Sequence, residues 1–523
     1  MSSISENIQP KNTFSEPPSP PITYYKKILD YLWPIARSEL PKFLSITLLM
    51  FCILGIQNLI RAMKDSVINT MMGTETISFL KFWGVLPAAF LVTIIYVKLV
   101  SVMKGENIFY LTMSTFLGFF LLFAFYLFPH HKELHLDPQI ASKLIVNSPN
   151  LKWFILLLSN WSFSLFYIIA ELWPNAIFAL LFWQFVNKIT SVDESKRFYP
   201  LFGLLGQTGL YLSGTFLLNL PEINSYSQKI FALSSAKSVI TIQIVVSVVT
   251  VLGVIALIIF WFLNHKILDT TTTSNLKFKV KKNQLSLKES IQIVAGSRYI
   301  RLIAILLICY GMAINLIEGP WKSEASKIYK TPTEFAAFIG NYLSYTGILT
   351  LCFVVLGSNI VRKLGWLSAA IITPIMVLVT GLGFFVVVNF NLVATFMMVS
   401  FACRDPIILA ITIGAIQNIL SKSSKYTLFD STKEMSYVPL EEPIQTRGKA
   451  AADMIGTKLG KSGGAFLQSI IFVIFPAATY QSISTFLMVA FIAISIVWLW
   501  AVLELNKEYK IKCSKAAERS NVV

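Results

Sequence analysis

Charged residues are scarce in this chain of 523 residues, and acidic residues are scarcer than basic ones. Charged residues make up 14% of the sequence and apolar residues 55%, with 27 Asp and Glu against 44 Lys and Arg. The mean hydropathy of +0.65 lies well outside the range of soluble domains. The composition therefore excludes a set of soluble domains and indicates a single all-α bundle of membrane helices.

Cysteine and histidine are also rare, at five and four residues. Cysteines lie in apolar stretches or, for Cys513, in the C-terminal tail, so no disulfide at an external surface is expected. The histidines lie outside the apolar stretches, and the sequence offers no convincing pair of nucleophile and base. We expect no metal site, no cofactor and no catalytic residue.

One apparent nucleotide-binding motif fails on its spacing. Gly456, Gly460, Lys461 and Ser462 resemble a P-loop, but three residues separate the two glycines where four are required, and no strand precedes them. In a membrane helix, such glycines instead allow close approach to a neighbouring helix or local unwinding beside a cavity.

Long apolar stretches predict about twelve membrane-spanning helices in two halves of six. The predicted parts are a disordered N-terminal tail, a first half, a basic cytoplasmic linker, a second half and a cytoplasmic tail, at residues 1–42, 43–263, 264–298, 299–505 and 506–523. The fourth stretch, 153–186, is too long for one straight crossing, and Glu171 and Pro174 in its middle predict a kink or break. The stretches at 199–220 and 450–475 are the fifth and eleventh, and charges and glycines interrupt the eleventh.

The basic residues predict the orientation. Thirty Lys and Arg fall in the connections on the side of both termini, and nine fall on the other side, where Lys81 and Lys322 are counted. Both termini are therefore expected in the cytoplasm, since basic loops stay inside. The net charge of +17 is then a consequence of topology, and no nucleic-acid partner is expected.

Five basic residues remain inside the apolar stretches, at a cost of about 3 kcal/mol for each charge near the centre of a membrane. They are Arg61, Lys64, Arg404, Lys458 and Lys461. Carboxylates accompany them, namely Asp65, Glu171, Glu318, Asp405 and Asp453. A polytopic protein with buried cations and carboxylates is typical of a carrier for an anionic solute.

Five long segments resemble the nucleotide transporter (ATP/ADP translocase) family of obligate intracellular bacteria and plastids. They are Lys196-Arg-Phe-Tyr-Pro-Leu-Phe-Gly203, Asn315-Leu-Ile-Glu-Gly-Pro-Trp-Lys322, and the segments 417–426, 430–440 and 448–464. The resemblance runs from about Trp33 to Leu505. It implies a twelve-helix carrier, major-facilitator-like in architecture, that moves nucleotides by alternating access. It also implies roles in transport for Lys64, Glu171, Glu318 and Lys461, whose motifs match.

The cations suit the phosphates of such a substrate. Lys64 and Lys461 are the expected phosphate ligands, because ammonium groups can bind and release phosphate. Arg61, one turn before Lys64, could grip a phosphate with two hydrogen bonds, and Lys458 could bind phosphate or extend to the membrane surface. The alternative for Arg61 and Lys64 is that they neutralise Asp65 or another buried acid.

The carboxylates need a different explanation, because they repel phosphate. Glu171 and Glu318 could pair with the lysines in the empty state, bind ribose or base, or carry a proton that couples transport. Asp65 is counted with them as a candidate for coupling or substrate binding. A structural ion pair or helix cap is the other interpretation. Arg404 and Asp405, just before a proline, are interpreted as a structural pair.

The first span departs from the family pattern. Members that exchange ATP for ADP usually show Arg-Asp-Thr-Lys-Asp-Thr there, whereas this chain has Arg61-Ala-Met-Lys-Asp-Ser66. The departure favours net import of ribonucleotides, coupled to protons, over strict ATP/ADP exchange. We expect a monomer in the bacterial inner membrane.

Two other classes are weighed against this one. A membrane-embedded phosphoryl or glycosyl transferase would need a catalytic or metal-binding acid cluster, for which the only candidates surround Asp430, Lys433, Glu434, Glu441 and Glu442. A facilitator for sugars or amino acids would need fewer converging cations.

Overall fold

The computed structural model describes residues 35–231, 236–267, 287–390, 398 and 405–520. Within these ranges the chain forms helices and turns, with no strand. Ten helices are long and apolar enough to cross a membrane: Leu40–Met71, Thr76–Val102, Gly105–Leu127, Trp161–Ile189, Lys237–Ile267, Arg298–Ile328, Pro332–Val354, Gly365–Asn389, Pro406–Tyr437 and Ser484–Lys515.

Two further long helices, Val192–Leu218 and Glu442–Ile474, occupy the places of the fifth and eleventh predicted spans. Both carry more glycine than the other ten, with four glycines in Val192–Leu218 and five in Glu442–Ile474. With these two, the helices are labelled α1 to α12 in chain order. For the description below, α1 to α6 are called the first half and α7 to α12 the second half. The prediction of an all-α polytopic membrane protein is confirmed.

The fourth apolar stretch is interrupted, as the sequence predicts. The break comes at Asn160, between a short helix, Lys152–Ser159, and α4, which begins at Trp161. Within α4, the helix widens to the π form over Pro174–Phe182, because the proline has no N–H for the regular ladder. Glu171 lies just before that change.

The helix ends follow local sequence signals. Ser191 and Glu194 form a capping box at the start of α5, and Thr331 and Glu334 form one at the start of α8. Asp405 caps α10, accepting a hydrogen bond from the Ile407 N–H at 2.8 Å. Arg404, its predicted partner, and Cys403 lie outside the described residues.

Helices α8 and α9 are parts of one helical stretch that turns at Gly365. The backbone φ there is +79°, a value that only glycine adopts at little cost. The predicted linker is described only at its two ends, where residues 264–267 continue α6 and the helix Leu287–Gly296 packs against α11. Most of the predicted N-terminal tail and residues 268–286 lie outside the described ranges.

The two ends of the bundle differ in how the halves meet. We call the end with the chain termini proximal and the other end distal. At the proximal end, ion pairs join helices within a half, as in Lys42–Glu194 at 2.8 Å, Arg197–Glu39 at 2.6 Å and Arg298–Glu504 at 2.7 Å. The hydrogen bonds from Arg197 lower the pKa of Glu39.

At the distal end, contacts cross from one half to the other. The hydroxyls of Thr241 and Thr333, in α6 and α8, are 2.7 Å apart. Helix α5 crosses α8 so closely that a Cβ atom at Gly214 would lie 2.7 Å from the Gly340 carbonyl oxygen. The halves are therefore held together distally, whereas the three proximal ion pairs named above each stay within one half.

Candidate functional site

Lys64 of α1 lies among carboxylates of its own half. Its Nζ donates to Asp65 Oδ1 at 2.7 Å and lies 3.0 Å from Glu171 Oε2 on α4. The same Nζ sits 3.9 Å from the ring centroid of Tyr167, one turn before Glu171. Only 3% of the Lys64 side chain is exposed, so its charge is desolvated and needs these partners.

Asp65 extends the contact to the second half. Its Oδ2 accepts from Lys322 Nζ on α7 at 2.8 Å, and Lys322 also donates to Glu318 Oε1 at 2.8 Å. The second oxygen of Glu318 accepts from Lys81 of α2 at 3.1 Å, and Lys81 also contacts Asn315 Oδ1 at 2.8 Å. Two ion pairs, Asp65–Lys322 and Glu318–Lys81, thus join the halves.

These residues form one continuous set, which we call the distal ion network: Lys64, Asp65, Lys81, Glu171, Glu318 and Lys322. Lysines and carboxylates alternate along it in equal number. The buried charges are therefore compensated, although breaking any single pair would leave a buried charge without its partner. Of the roles considered for Glu171 and Glu318, pairing with lysines is the one seen in this conformation.

A second group of cations has no carboxylate partner among the described residues. Arg61, Lys461 and Lys422, on α1, α11 and α10, make no ion pair with any side chain in the described ranges, and we call them the central cations. Their electrostatic neighbours span both halves: Arg61 interacts with Glu171 and Glu318, and Lys461 with Glu171 and Arg61. Cations from both halves thus converge beside the distal ion network.

The packing of α11 explains how Lys461 reaches this place. Gly460 lies against Gly311 of α7, where a Cβ atom on Gly311 would come within 2.7 Å of the Gly460 Cα. Of the two uses expected for this glycine-rich segment, close approach is the one observed, since α11 continues as a helix through it. Lys461 is exposed although its backbone packs at this close crossing, and its electrostatic neighbours Glu171 and Arg61 belong to the first half.

Lys458 is held differently from the central cations. Its Nζ lies 4.4 Å from the ring centroid of Phe90 on α2, and its side chain is half-buried. Because Phe90 belongs to the first half, this contact also crosses between the halves.

Two of the acids weighed as an enzyme site, Asp430 and Glu434, are bound to lysines. Asp430 pairs with Lys425 at 2.7 Å, and Glu434 pairs with Lys433 at 2.9 Å and Lys449 at 2.5 Å. Asp453, counted among the buried acids, lies 3.3 Å from Lys433. Among the described residues, no three His, Cys, Asp or Glu side chains are grouped to hold a metal ion.

Sequence reasoning missed three lysines of the interior. Lys81 and Lys322 were assigned to distal loops, and Lys422 to a proximal loop, but α2, α7 and α10 extend through them. For Lys322 a signal was available, since it follows Glu318 by one helical turn. For Lys422 there was none, because the polar run 417–426 looks like a helix end in sequence but packs against α7 and α8.

Comparison with known proteins agrees with this architecture. The family model described as TLC ATP/ADP transporter matches residues 21–509. The chain is 64% identical to ADP,ATP carrier protein 4 of Rickettsia felis, over 95% of this chain and 98% of that protein. It is 44% identical to ADP,ATP carrier protein 3 of Rickettsia bellii, over 94% of this chain and 99% of that one.

A likeness among solved structures concerns the fold alone. The crystal structure of the nucleoside transporter NupG matches with a TM-score of 0.53 and 11% identity, over 89% of this chain and 99% of that chain. The expectation of a major-facilitator-like carrier fold is confirmed by this match together with the membrane helices.

Proposed function

The chain belongs to the TLC ATP/ADP transporter family, and from that premise we propose that it carries nucleotides across the bacterial inner membrane by alternating access. It is a multi-pass membrane transporter and not an enzyme. The proposed substrates are ATP, ADP or other ribonucleotides, in line with the names of the relatives.

One observation carries the proposal: cations from both halves converge without carboxylate partners in the part of the chain that the structure describes. Arg61 and Lys461 are charged groups kept inside a membrane bundle at a cost that a bound polyanion would offset. Arg61 offers two parallel donors to a phosphate, and Lys461 offers a mobile point charge. Lys458, one turn before Lys461, is the next cation along α11. We propose that these three bind the phosphates.

The distal ion network supports a role as a gate. Asp65–Lys322 and Glu318–Lys81 must separate before the substrate can leave or enter at the distal end. In the described conformation, Lys64 is occupied by Asp65 and Glu171. We propose that it becomes a phosphate ligand when these contacts open.

Transport of a polyanion also requires an energy source. Import against an inside-negative potential is opposed by about 2.3 kcal/mol per charge at 100 mV, so exchange or cotransported protons must offset it. A phosphate that takes over Lys64 would remove the lysine that pairs with Glu171, and one that takes over Lys322 would leave Glu318 with Lys81 alone. A carboxylate that loses a neighbouring cation binds a proton more readily. We propose proton-coupled import, with strict ATP/ADP exchange as the alternative.

An uptake panel in proteoliposomes tests substrate and coupling together. Labelled ribonucleoside triphosphates, diphosphates and NAD are supplied with and without internal nucleotide and with a protonophore. Proton coupling predicts faster uptake at lower external pH, and predicts that Glu171→Gln or Glu318→Gln uncouples import while preserving some exchange. Uptake that needs internal nucleotide and ignores both pH and protonophore would assign the chain to exchange. Competition by sugars instead of nucleotides would overturn the proposal.

We also propose that both termini are cytoplasmic, so that the described conformation is closed to the outside. The excess of basic residues on the proximal side persists after Lys81, Lys322, Lys422 and Lys425 are moved from loops into helices. A cysteine placed at Ser274, in the connection outside the described residues, should resist labelling by an impermeant reagent added to intact cells.

The described residues of the network and the central cations all come from one chain, which supports a monomer as the functional unit.

A further inference from the structure

The ammonium group of Lys422 contacts an aromatic side chain, whereas the lysines of the distal ion network contact acids. Its Nζ donates to the Tyr342 hydroxyl of α8, 4.6 Å from the centroid of the same ring. Tyr342 is itself fixed by an edge contact to Trp321 at 5.4 Å, and the Trp321 indole donates to the Ile411 carbonyl of α10 at 2.9 Å. The ammonium group is therefore positioned by three helices of the second half.

The charges around Lys422 do not balance it. Its electrostatic neighbours are Arg61, Glu318, Lys322 and Asp65. Asp65 and Glu318 each already contact two lysines within 3.1 Å, so their negative charge is compensated by those lysines. Arg61 comes from the opposite half and, like Lys422, lacks an ion pair among the described residues. Two like charges brought together in a membrane interior repel each other unless an anion lies between them.

We propose, on the basis of the function proposed above, that Lys422 is a further phosphate ligand and opposes Arg61 across the substrate. One cation would come from each half. A phosphate group bound between them would attract both, at the place where Arg61 and Lys422 repel each other in the empty protein. The number of phosphates then determines affinity, because each added phosphate brings more negative charge into the field of Lys422. Lys422 is in this sense a determinant of specificity for highly charged nucleotides.

The test compares ligands that differ in phosphate number. Inhibition of labelled ATP uptake is measured with ATP, ADP, AMP and tripolyphosphate, in wild type and in Lys422→Gln. The same ligands are used in a thermal-shift measurement on the purified full-length protein, which does not require transport. Lys422→Gln should weaken the binding of ATP and tripolyphosphate roughly tenfold to a hundredfold, as for loss of a charged hydrogen bond. It should weaken the binding of AMP far less.

Three matched variants sharpen the result. Lys422→Arg should retain most of the affinity. Tyr342→Phe removes only the hydroxyl that holds the ammonium group, so it should weaken the binding of ATP and tripolyphosphate more than that of AMP, but by a smaller factor than Lys422→Gln. Lys507→Gln, on the exposed part of α12 where Lys507 pairs with Glu504 at 2.6 Å, should behave as wild type. Equal weakening of ATP and AMP, or no weakening, would overturn the role of Lys422. Failure of every nucleotide and of tripolyphosphate to act on wild type would instead overturn the proposed function.

Discussion

Lys64 and Lys461 are both lysines of membrane helices, but their surroundings give them different thermodynamic roles. Lys64 compensates Asp65 and Glu171, whereas Lys461 has no ion pair in the described part of the chain. We expect Lys64→Gln and Lys461→Gln both to reduce triphosphate uptake severely. Only Lys64→Gln should also lower the free energy of unfolding, by about 3–5 kcal/mol, since it leaves buried carboxylates without a partner.

Uptake and thermal unfolding of the purified variants distinguish these effects. Membrane insertion, measured by yield in the membrane fraction, serves as the common control. Wild-type uptake by both variants would refute the assignment of the phosphate site. A large loss of stability in Lys461→Gln would show that Lys461 compensates a buried negative charge of the protein itself instead of binding the phosphate of a substrate.

At the scale of elements, the crossing of α7 and α11 depends on two glycines in contact. A methyl group at Gly311 would lie 2.6 Å from the Gly460 carbonyl carbon, and this backbone cannot rotate away as a side chain would. Gly311→Ala should therefore push α11 and Lys461 outward, lowering stability by about 1–3 kcal/mol and reducing uptake. The measurement is uptake together with the unfolding temperature in detergent.

Gly118 of α3 provides the matched control for that substitution. A Cβ atom there meets nothing within 4 Å, so Gly118→Ala should leave uptake unchanged and keep or raise the unfolding temperature. If Gly311→Ala behaved like Gly118→Ala, the close crossing would not be needed to place Lys461.

At the scale of the whole molecule, the distal contacts between the halves allow a test of alternating access. The Thr241 and Thr333 hydroxyls join α6 and α8 across the halves at 2.7 Å, so cysteines at both positions should form a disulfide. Oxidation of Thr241→Cys/Thr333→Cys should abolish uptake by preventing the distal end from opening, and a reductant should restore it. Uptake is measured before oxidation, after it and after reduction.

The single-cysteine variants control for oxidation of the native thiols, among them Cys52, Cys309, Cys352 and Cys513. They should retain uptake throughout. Complete cross-linking with undiminished uptake would contradict alternating access through the distal end.

The sequence by itself determined the membrane class, the number and approximate bounds of the long helices, and the presence of charges inside them. These properties depend on the local composition of each stretch, because the cost of placing a residue in hydrocarbon is set largely by that residue and its neighbours in the chain. Lys64, Glu171, Glu318 and Lys461 could be singled out on that ground, and the family motifs point to the same residues.

Only the tertiary structure decided which of these charges are paired. Asp65 and Lys322 are 257 residues apart in the chain yet 2.8 Å apart in space, and no local pattern specifies such a contact. The packing of α7 and α10 likewise turned Lys322 and Lys422 from expected loop residues into interior ones. The energy of a buried charge depends on what surrounds it in three dimensions, so the division into a compensated network and uncompensated central cations arises from helix packing.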